Sequence, residues 1–289
     1  MRNLVLLFGI VVLLVAFNIR STSVAIPDED IIFIPKDREI AESIINRFTD
    51  ERENDISELM IKVASSFLGT PYVAHTLETG ADEKMVINLR ELDCTTYAEN
   101  VLALVRTIKS NEHCFNRFVN ELERIRYRDG TRNGYLSRLH YFSDWIYDNV
   151  IKKHVRDISG EIAHSLYPNK VNFMSTHPES YQVLNNNPEL VEGLKQIEIT
   201  ISERMAWYIP KNKIAEFEDQ FKDGDIVAIT TNIEGLDVTH VGLVFWRDGR
   251  VRLLHASSKE MKVVLTSETL EEYLQGSRSA TGIIIARPL

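Results

Sequence analysis

One cysteine at a helix start and two histidines on adjacent strands are the residues here whose types and spacing point to chemistry. Cys94 stands in Leu92-Asp93-Cys94-Thr95-Thr96-Tyr97-Ala98-Glu99-Asn100. Asp93 is a helix-capping type, and Tyr97, Val101, Leu104, Val105 and Ile108 recur at helical spacing, which predicts a helix from Cys94 to Ser110. In its first turn the sulfur lies beside unpaired N–H groups and the positive end of the helix dipole. Both favour thiolate, and the charge of Asp93 opposes them slightly. The plainer alternative is an inert, small core residue.

The histidines sit on strands. Arg247-Asp248-Gly249-Arg250 joins two alternating segments, "THVGLVFW" and "VRLLHASS", and Asp-Gly in that setting predicts a two-residue type I′ hairpin. With Arg247 opposite Arg250, Gly242 faces His255 and His240 faces Ser257. Side chains alternate with period 2, so His240 and His255 share a face as diagonal neighbours roughly 7–8 Å apart. Gly242 is expected to leave open space beside His255. A one-residue bulge between them would break the arrangement. A nucleophilic thiol, an imidazole to exchange its proton and a second imidazole to orient the first make a Cys-His-His triad of Cys94, His240 and His255. The same residues would fill three of the four positions of a zinc site, but the close Cys-x-x-Cys or His-x-x-x-His pairs of such sites are absent. No metal or cofactor is therefore expected.

The elements that must bring these residues together follow from the periodicity. Residues 28 to 56 read as a short extended piece and a charged helix. Ser57 to Gly69 reads as a second helix, with Met60, Val63, Ala64 and Phe67 on one face and Gly69 as its stop. Residues 115 to 215 mix helical patterns with polar turns. From Lys222 the period changes to 2, giving strands at "GDIVAITTN", "THVGLVFW", "VRLLHASS", "KVVLT" and "TGIIIAR". Helices first and an antiparallel sheet last make an α+β layout. The other cysteine, Cys114, lies beyond the predicted helix, which is roughly 24 Å long. Bridging it to Cys94 would force the chain to double back within four residues, so no disulfide is expected.

A basic start, an uncharged apolar run of 14 residues from Leu4 to Phe17, and small residues at Ser23 and Ala25 predict a secretory signal peptide over residues 1–25. The run is shorter than the ~20 residues of a membrane span, so the remaining 264 or so of the 289 residues are expected without one, in the periplasm or elsewhere in the cell envelope. Losing Arg2 and Arg20 moves the formal charge from −9 to −11. Such an acidic chain is a poor nucleic-acid partner.

The ordered set "LGTPYVAHTLE", "LDCTTYAEN", "DVTHVGLVFW" and "LLHAS" resembles the NlpC-type papain-like cell-wall cysteine amidases. With "SRLHYFSDWI", "FMSTHPESY" and "WYIPK", it resembles their N-acetylmuramoyl-L-alanine amidase-like branch, formerly a domain of unknown function. That resemblance implies a papain-like core over residues 26–289 with a large, mainly helical insertion around 115–215. It also implies hydrolysis of the bond between N-acetylmuramic acid and L-alanine in muropeptides, 1,6-anhydro forms included. Cys94 would be the nucleophile, His240 the proton-transfer partner, His255 the orienting residue and Tyr72 the active-site tyrosine. A γ-D-glutamyl-diamino acid endopeptidase, a non-catalytic muropeptide-binding protein and a zinc protein are the other readings. Peptidoglycan fragments are the expected partners of a monomer. Within Tyr135 to Asn149, Leu139, Phe142, Ile146 and Val150 are expected to face a core, with His140 left as a candidate substrate contact. Asp237, three residues before His240, either lines the site or starts a strand.

Overall fold

The computed structural model describes residues 30–78, 82–168 and 170–289. The expected signal segment, 1–25, lies outside them. Among the described residues no helix is long and apolar enough to cross a membrane. Helices that bear on the site include α1 (Pro35–Phe48), α2 (Ile56–Ser65), α3 (Cys94–Lys109), α4 (Phe115–Arg126) and α5 (Phe142–Ile151). Helix α2 stops before the expected Gly69. The chain turns from Ser66 onward, with Gly69 at φ +86° and its N–H given to the Val263 carbonyl at 2.9 Å.

Two short strands, β1 (Ile31–Ile32) and β2 (Met85–Val86), form a parallel pair. The remaining strands are β3 (Val155–Asp157), β4 (Ser165–Tyr167), β5 (Ala206–Pro210), β6 (Ile226–Thr231), β7 (Val238–Arg247), β8 (Arg250–Ser257), β9 (Lys262–Leu265) and β10 (Ala280–Pro288). They make one antiparallel sheet in the order β4-β5-β10-β6-β7-β8-β9, with β3 also on β10. The architecture is α+β. The sheet is covered on both faces, which is why its central strands alternate between two apolar sets. Ala228, Val241, Leu243 and Leu254 pack in the core formed with α1 to α4. Val227, Val244, Leu253 and Ile285 pack in a second core with Leu270 and Leu274. A third cluster joins Tyr135 and Tyr141 to Met174, Leu194 and Ile201.

The β7–β8 hairpin has the expected register. Arg247 pairs with Arg250, the ladder runs to Leu243 opposite Leu254, and Asp248 and Gly249 take φ of 54° and 75°. Both tip residues thus adopt the left-handed geometry that a type I′ turn requires. A bulge does occur, but on the other side. Ile229 of β6 faces His240 while Thr230 faces Val238, so Thr239 is the extra residue. The alternation from His240 to the hairpin tip is uninterrupted. Gly242 does not leave open space: a Cβ there would lie 2.6 Å from Leu253 Cδ1 and 3.0 Å from His255 Cβ.

Candidate active site

Helix α3 begins at Cys94 because Asp93 caps it. The Asp93 carboxylate accepts from the Thr96 N–H at 2.7 Å, and the Asp93 N–H donates to the Thr96 hydroxyl at 2.9 Å, a reciprocal capping box. The residues leading into α3 are stitched to the sheet edge through the Gly69–Val73 loop. Val263 N–H donates to Thr70 O at 2.8 Å, Tyr72 N–H to Met261 O at 3.0 Å and Leu92 N–H to Pro71 O at 3.0 Å. One loop therefore fixes both Tyr72 and the start of α3 against β9.

From the other side β7 meets Cys94, whose sulfur accepts from the Val241 N–H, one residue past His240. His240 Nε2 lies 2.5 Å from His255 Nδ1, with the two rings perpendicular and their centroids 4.8 Å apart. Cys94 and His240 line one cleft. The three residues predicted as a triad are thus gathered at the junction of α3, β7 and β8. Because the histidine nitrogens facing one another are spent on a mutual hydrogen bond, they do not converge on a common metal position. Among the described residues no group of three or more His, Cys, Asp or Glu side chains is arranged to hold a metal ion. Both cysteines are free thiols, Cys114 exposed at the start of α4.

The electrostatics correct one expectation. Burial pushes the Cys94 thiol up to about 12, and the charge of Asp93 adds to it. The Val241 N–H and the Thr95 hydroxyl and N–H pull the other way without winning. Burial also drives His240 down to about 4, and burial with the neighbouring His240 drives His255 down to about 3. Partial withdrawal from water disfavours every charged form at half-buried Cys94 and His240, which opposes the pull of the helix terminus toward thiolate.

The remaining candidates are distributed around the cleft. Tyr72 is half-buried beside the sulfur; burial first, then the charges of Cys94 and Asp93, push its hydroxyl up to about 12. His140 lines the cleft, its Nε2 2.9 Å from the Tyr135 carbonyl and its ring 4.4 Å from that of Tyr135. Burial and the Arg138 charge lower it to about 3. Asp237 also lines the cleft, but its carboxylate is engaged: it accepts from Ser143 N–H in the first turn of α5 and from Val238 N–H, both at 2.7 Å. It ties α5 to the start of β7. Leu139, Phe142 and Ile146 are buried as expected, whereas Val150, in the last turn of α5, is exposed. Sequence reasoning missed Tyr273, whose ring centroid lies 5.5 Å from that of His255 and 6.4 Å from that of His240. It belongs to the helix Leu270–Gln275, announced by a Thr269-x-x-Glu272 capping box before the apolar Leu270.

A family model described as N-acetylmuramoyl-L-alanine amidase-like matches residues 62–283. The chain belongs to that family. The match contains α3, β7, β8 and the Tyr273 helix, hence every residue of the site just described. No curated protein matches the chain. An N-acetylmuramoyl-L-alanine amidase from Bacteroides uniformis ATCC 8492 is 41% identical, with a TM-score of 0.78 over 81% of this chain and 98% of that one. A Bacteroides fragilis protein provisionally named a xylanase is 40% identical, with a TM-score of 0.74 over 78% of this chain and 99% of that one. A Legionella pneumophila protein from a family of unknown function is 20% identical with a TM-score of 0.64, covering 87% and 95%; it shares the fold. Proteins similar to this chain thus carry different names, and the choice among activities rests on the site.

Proposed function

We propose that this protein is an exported, papain-like cysteine amidase that hydrolyses the amide between N-acetylmuramic acid and L-alanine in muropeptides, 1,6-anhydro forms included. The observation that carries the reading is the His240–His255 hydrogen bond at 2.5 Å, beside a cleft that His240 shares with a cysteine in the first turn of a helix. A glycosidase of the usual kind works with two carboxylates flanking the bond. Here the two carboxylates of the cleft are engaged, Glu78 by Arg138 and Asp237 by two backbone N–H groups, which favours acyl transfer at a thiol.

The steps of this reading are as follows. In the tautomer where His240 Nε2–H donates to His255 Nδ1, His240 Nδ1 is left as the base. As Sγ of Cys94 attacks the lactyl carbonyl, His240 takes the thiol proton, and the Cys94 backbone N–H stabilises the oxyanion. Collapse of the tetrahedral intermediate breaks the C–N bond, and His240 returns the proton to the departing alanine nitrogen. Water, activated by the same imidazole, then releases the acyl group. Neither metal nor organic cofactor enters. Tyr72, His140 and Asp237 border the substrate. In this reading residues 26–289 form one papain-like unit, acting as a monomer, with the segment around 115–215 inserted into it.

Mass spectrometry of digested muropeptides tests the bond. Free muramyl sugar and an intact stem peptide support the proposal; L-Ala-D-Glu left on the sugar shows instead the γ-D-glutamyl cut. Alkylation of Cys94 should abolish turnover, and a chelator should not.

A further inference from the structure

In the proposed mechanism His255 holds His240 in place, yet little that is polar holds His255 itself. Among the described residues its ring makes one hydrogen bond, to His240. Pairing with Val264 of β9 fixes its backbone in β8, which leaves the rotation of the imidazole about its own bond undetermined. The ring of Tyr273 supplies the missing constraint. Its centroid lies 5.5 Å from that of His255 and 6.4 Å from that of His240, and the two imidazoles are 4.8 Å apart, so the three rings close a triangle. His255 stands nearly perpendicular to both neighbours, at 89° to His240 and 79° to Tyr273. Edge-to-face contact of this kind is a favoured geometry for aromatic pairs. Turning the imidazole away from His240 would break it together with the hydrogen bond.

Tyr273 is itself anchored. Its helix starts at the Thr269–Glu272 capping box, and Leu270 and Leu274 on either side of it are fully buried in the second core. His255 and Tyr273 also border a second pocket, of about 430 Å³, together with Lys259, Glu260, Lys262 and Glu268. Even so, His255 is only 1% exposed. The half-buried Tyr273 ring beside it therefore keeps water off the imidazole as well as fixing its plane. The titratable groups around His255 are His240 from β7, Cys94 from α3, the Tyr273 hydroxyl, and the two lysines and two glutamates of the pocket. The opposed charges of those four leave burial, then His240, as the main influences on its proton. We infer that Tyr273 is a positioning residue of this site: its ring locks the His255 imidazole in the plane that meets His240 and shields the pair from the second pocket. This rests on the cysteine amidase reading above.

Tyr273→Ala removes the ring and Tyr273→Phe keeps it. On N-acetylmuramoyl-L-alanyl-D-glutamate the alanine variant should lower kcat by roughly 10- to 100-fold, as a small misplacement of a catalytic group does, with KM within about twofold. The phenylalanine variant should restore kcat to within about twofold of the parent. Equal losses in both would make the hydroxyl the acting group, and a loss confined to KM would make Tyr273 a substrate contact. Full activity in Tyr273→Ala would make the ring packing alone. Each of these overturns the assignment. Imidazole ¹⁵N NMR of the full chain needs no substrate, which keeps the test apart from the choice of bond. The His255 midpoint, about 3 in the parent, should rise in Tyr273→Ala by about one unit or more toward its ordinary value, and the acid limb of kcat should move up with it. His154, paired to Asn149 elsewhere in the fold, should not move. Tyr273→Leu, which keeps apolar bulk, gives the same comparison if the alanine variant does not fold. An unmoved His255 overturns the shielding role whichever amide is cut.

Discussion

At Cys94 two effects oppose one another, and burial prevails over the helix terminus. With the thiol pushed up to about 12 and His240 down to about 4, the resting state is a neutral thiol beside a neutral imidazole. In the proposed mechanism proton transfer then accompanies attack rather than preceding it. Iodoacetamide alkylation of Cys94 should rise about tenfold per pH unit through neutrality, because the thiolate fraction does. A rate flat from pH 5 to 8 would reveal a preformed ion pair and reject this account. Turnover should fall only on the acid side of about pH 4 to 5, where His240 becomes protonated and stops accepting. His240→Ala should cost ~10²–10⁴-fold in kcat, the range for a lost general acid–base. The residues of the proposed triad stood out by type because each lies in a strong local pattern, a capped helix start or an Asp-Gly hairpin. The direction of the thiol shift was not, since burial depends on what the rest of the chain stacks over the sulfur.

Helix α3 and the β7–β8 hairpin convert those local patterns into a site, and each can be perturbed without touching a reacting atom. Asp93 both caps α3 and raises the thiol, two effects that separate on substitution. Asp93→Asn keeps a good N-cap but removes the charge. The alkylation profile of Cys94 should therefore move to lower pH with little change in thermal stability; an unmoved profile would mean that burial alone sets the thiol. Gly242→Ala tests the hairpin. The added methyl meets Leu253 and His255 in a packed core, which should cost ~1–3 kcal/mol in urea unfolding. It should also lower kcat by displacing His255. Of the strands from Ile226 onward, β6, β7, β8 and β10 were readable because they hold six to ten residues bounded by turn residues, and four-residue β9 because it follows β8 directly. By contrast β3, β4 and β5 hold three to five residues each and exist through pairing with β10 or with one another. Segments that short carry little periodicity of their own. Tyr273 escaped notice for a related reason: its helix start is marked by a capping box, but only tertiary packing brings its ring beside the two histidines.

Across the whole molecule, the cost of closing so many imidazoles away from water should appear as acid sensitivity. His140, His154 and His255 are each lowered to about 3, and His240 to about 4, with burial the leading cause. A histidine whose folded pKa lies below its ordinary value of about 6.5 binds protons more readily in the unfolded chain. Its effect is absent above that value and grows as pH falls towards the folded pKa. Each such group lowers stability by about 1.4 kcal/mol per pH unit within that window. The raised carboxyls of Glu83, Glu99, Glu123, Asp157 and Asp237 act in the opposite sense, because the fold holds their protons more tightly. One histidine can be isolated by difference. His154 is 5% exposed, paired through Nδ1 to Asn149 at 3.0 Å, and its proton is further opposed by Arg106, Lys152 and Arg124. His154→Gln will change the level of stability, but the informative quantity is the slope of unfolding free energy against pH between about 6 and 4.5. There the variant should be flatter than the parent by close to one proton per molecule. Parallel slopes would mean that His154 takes its proton in the fold as readily as in the unfolded chain, contrary to its burial and the three cations around it.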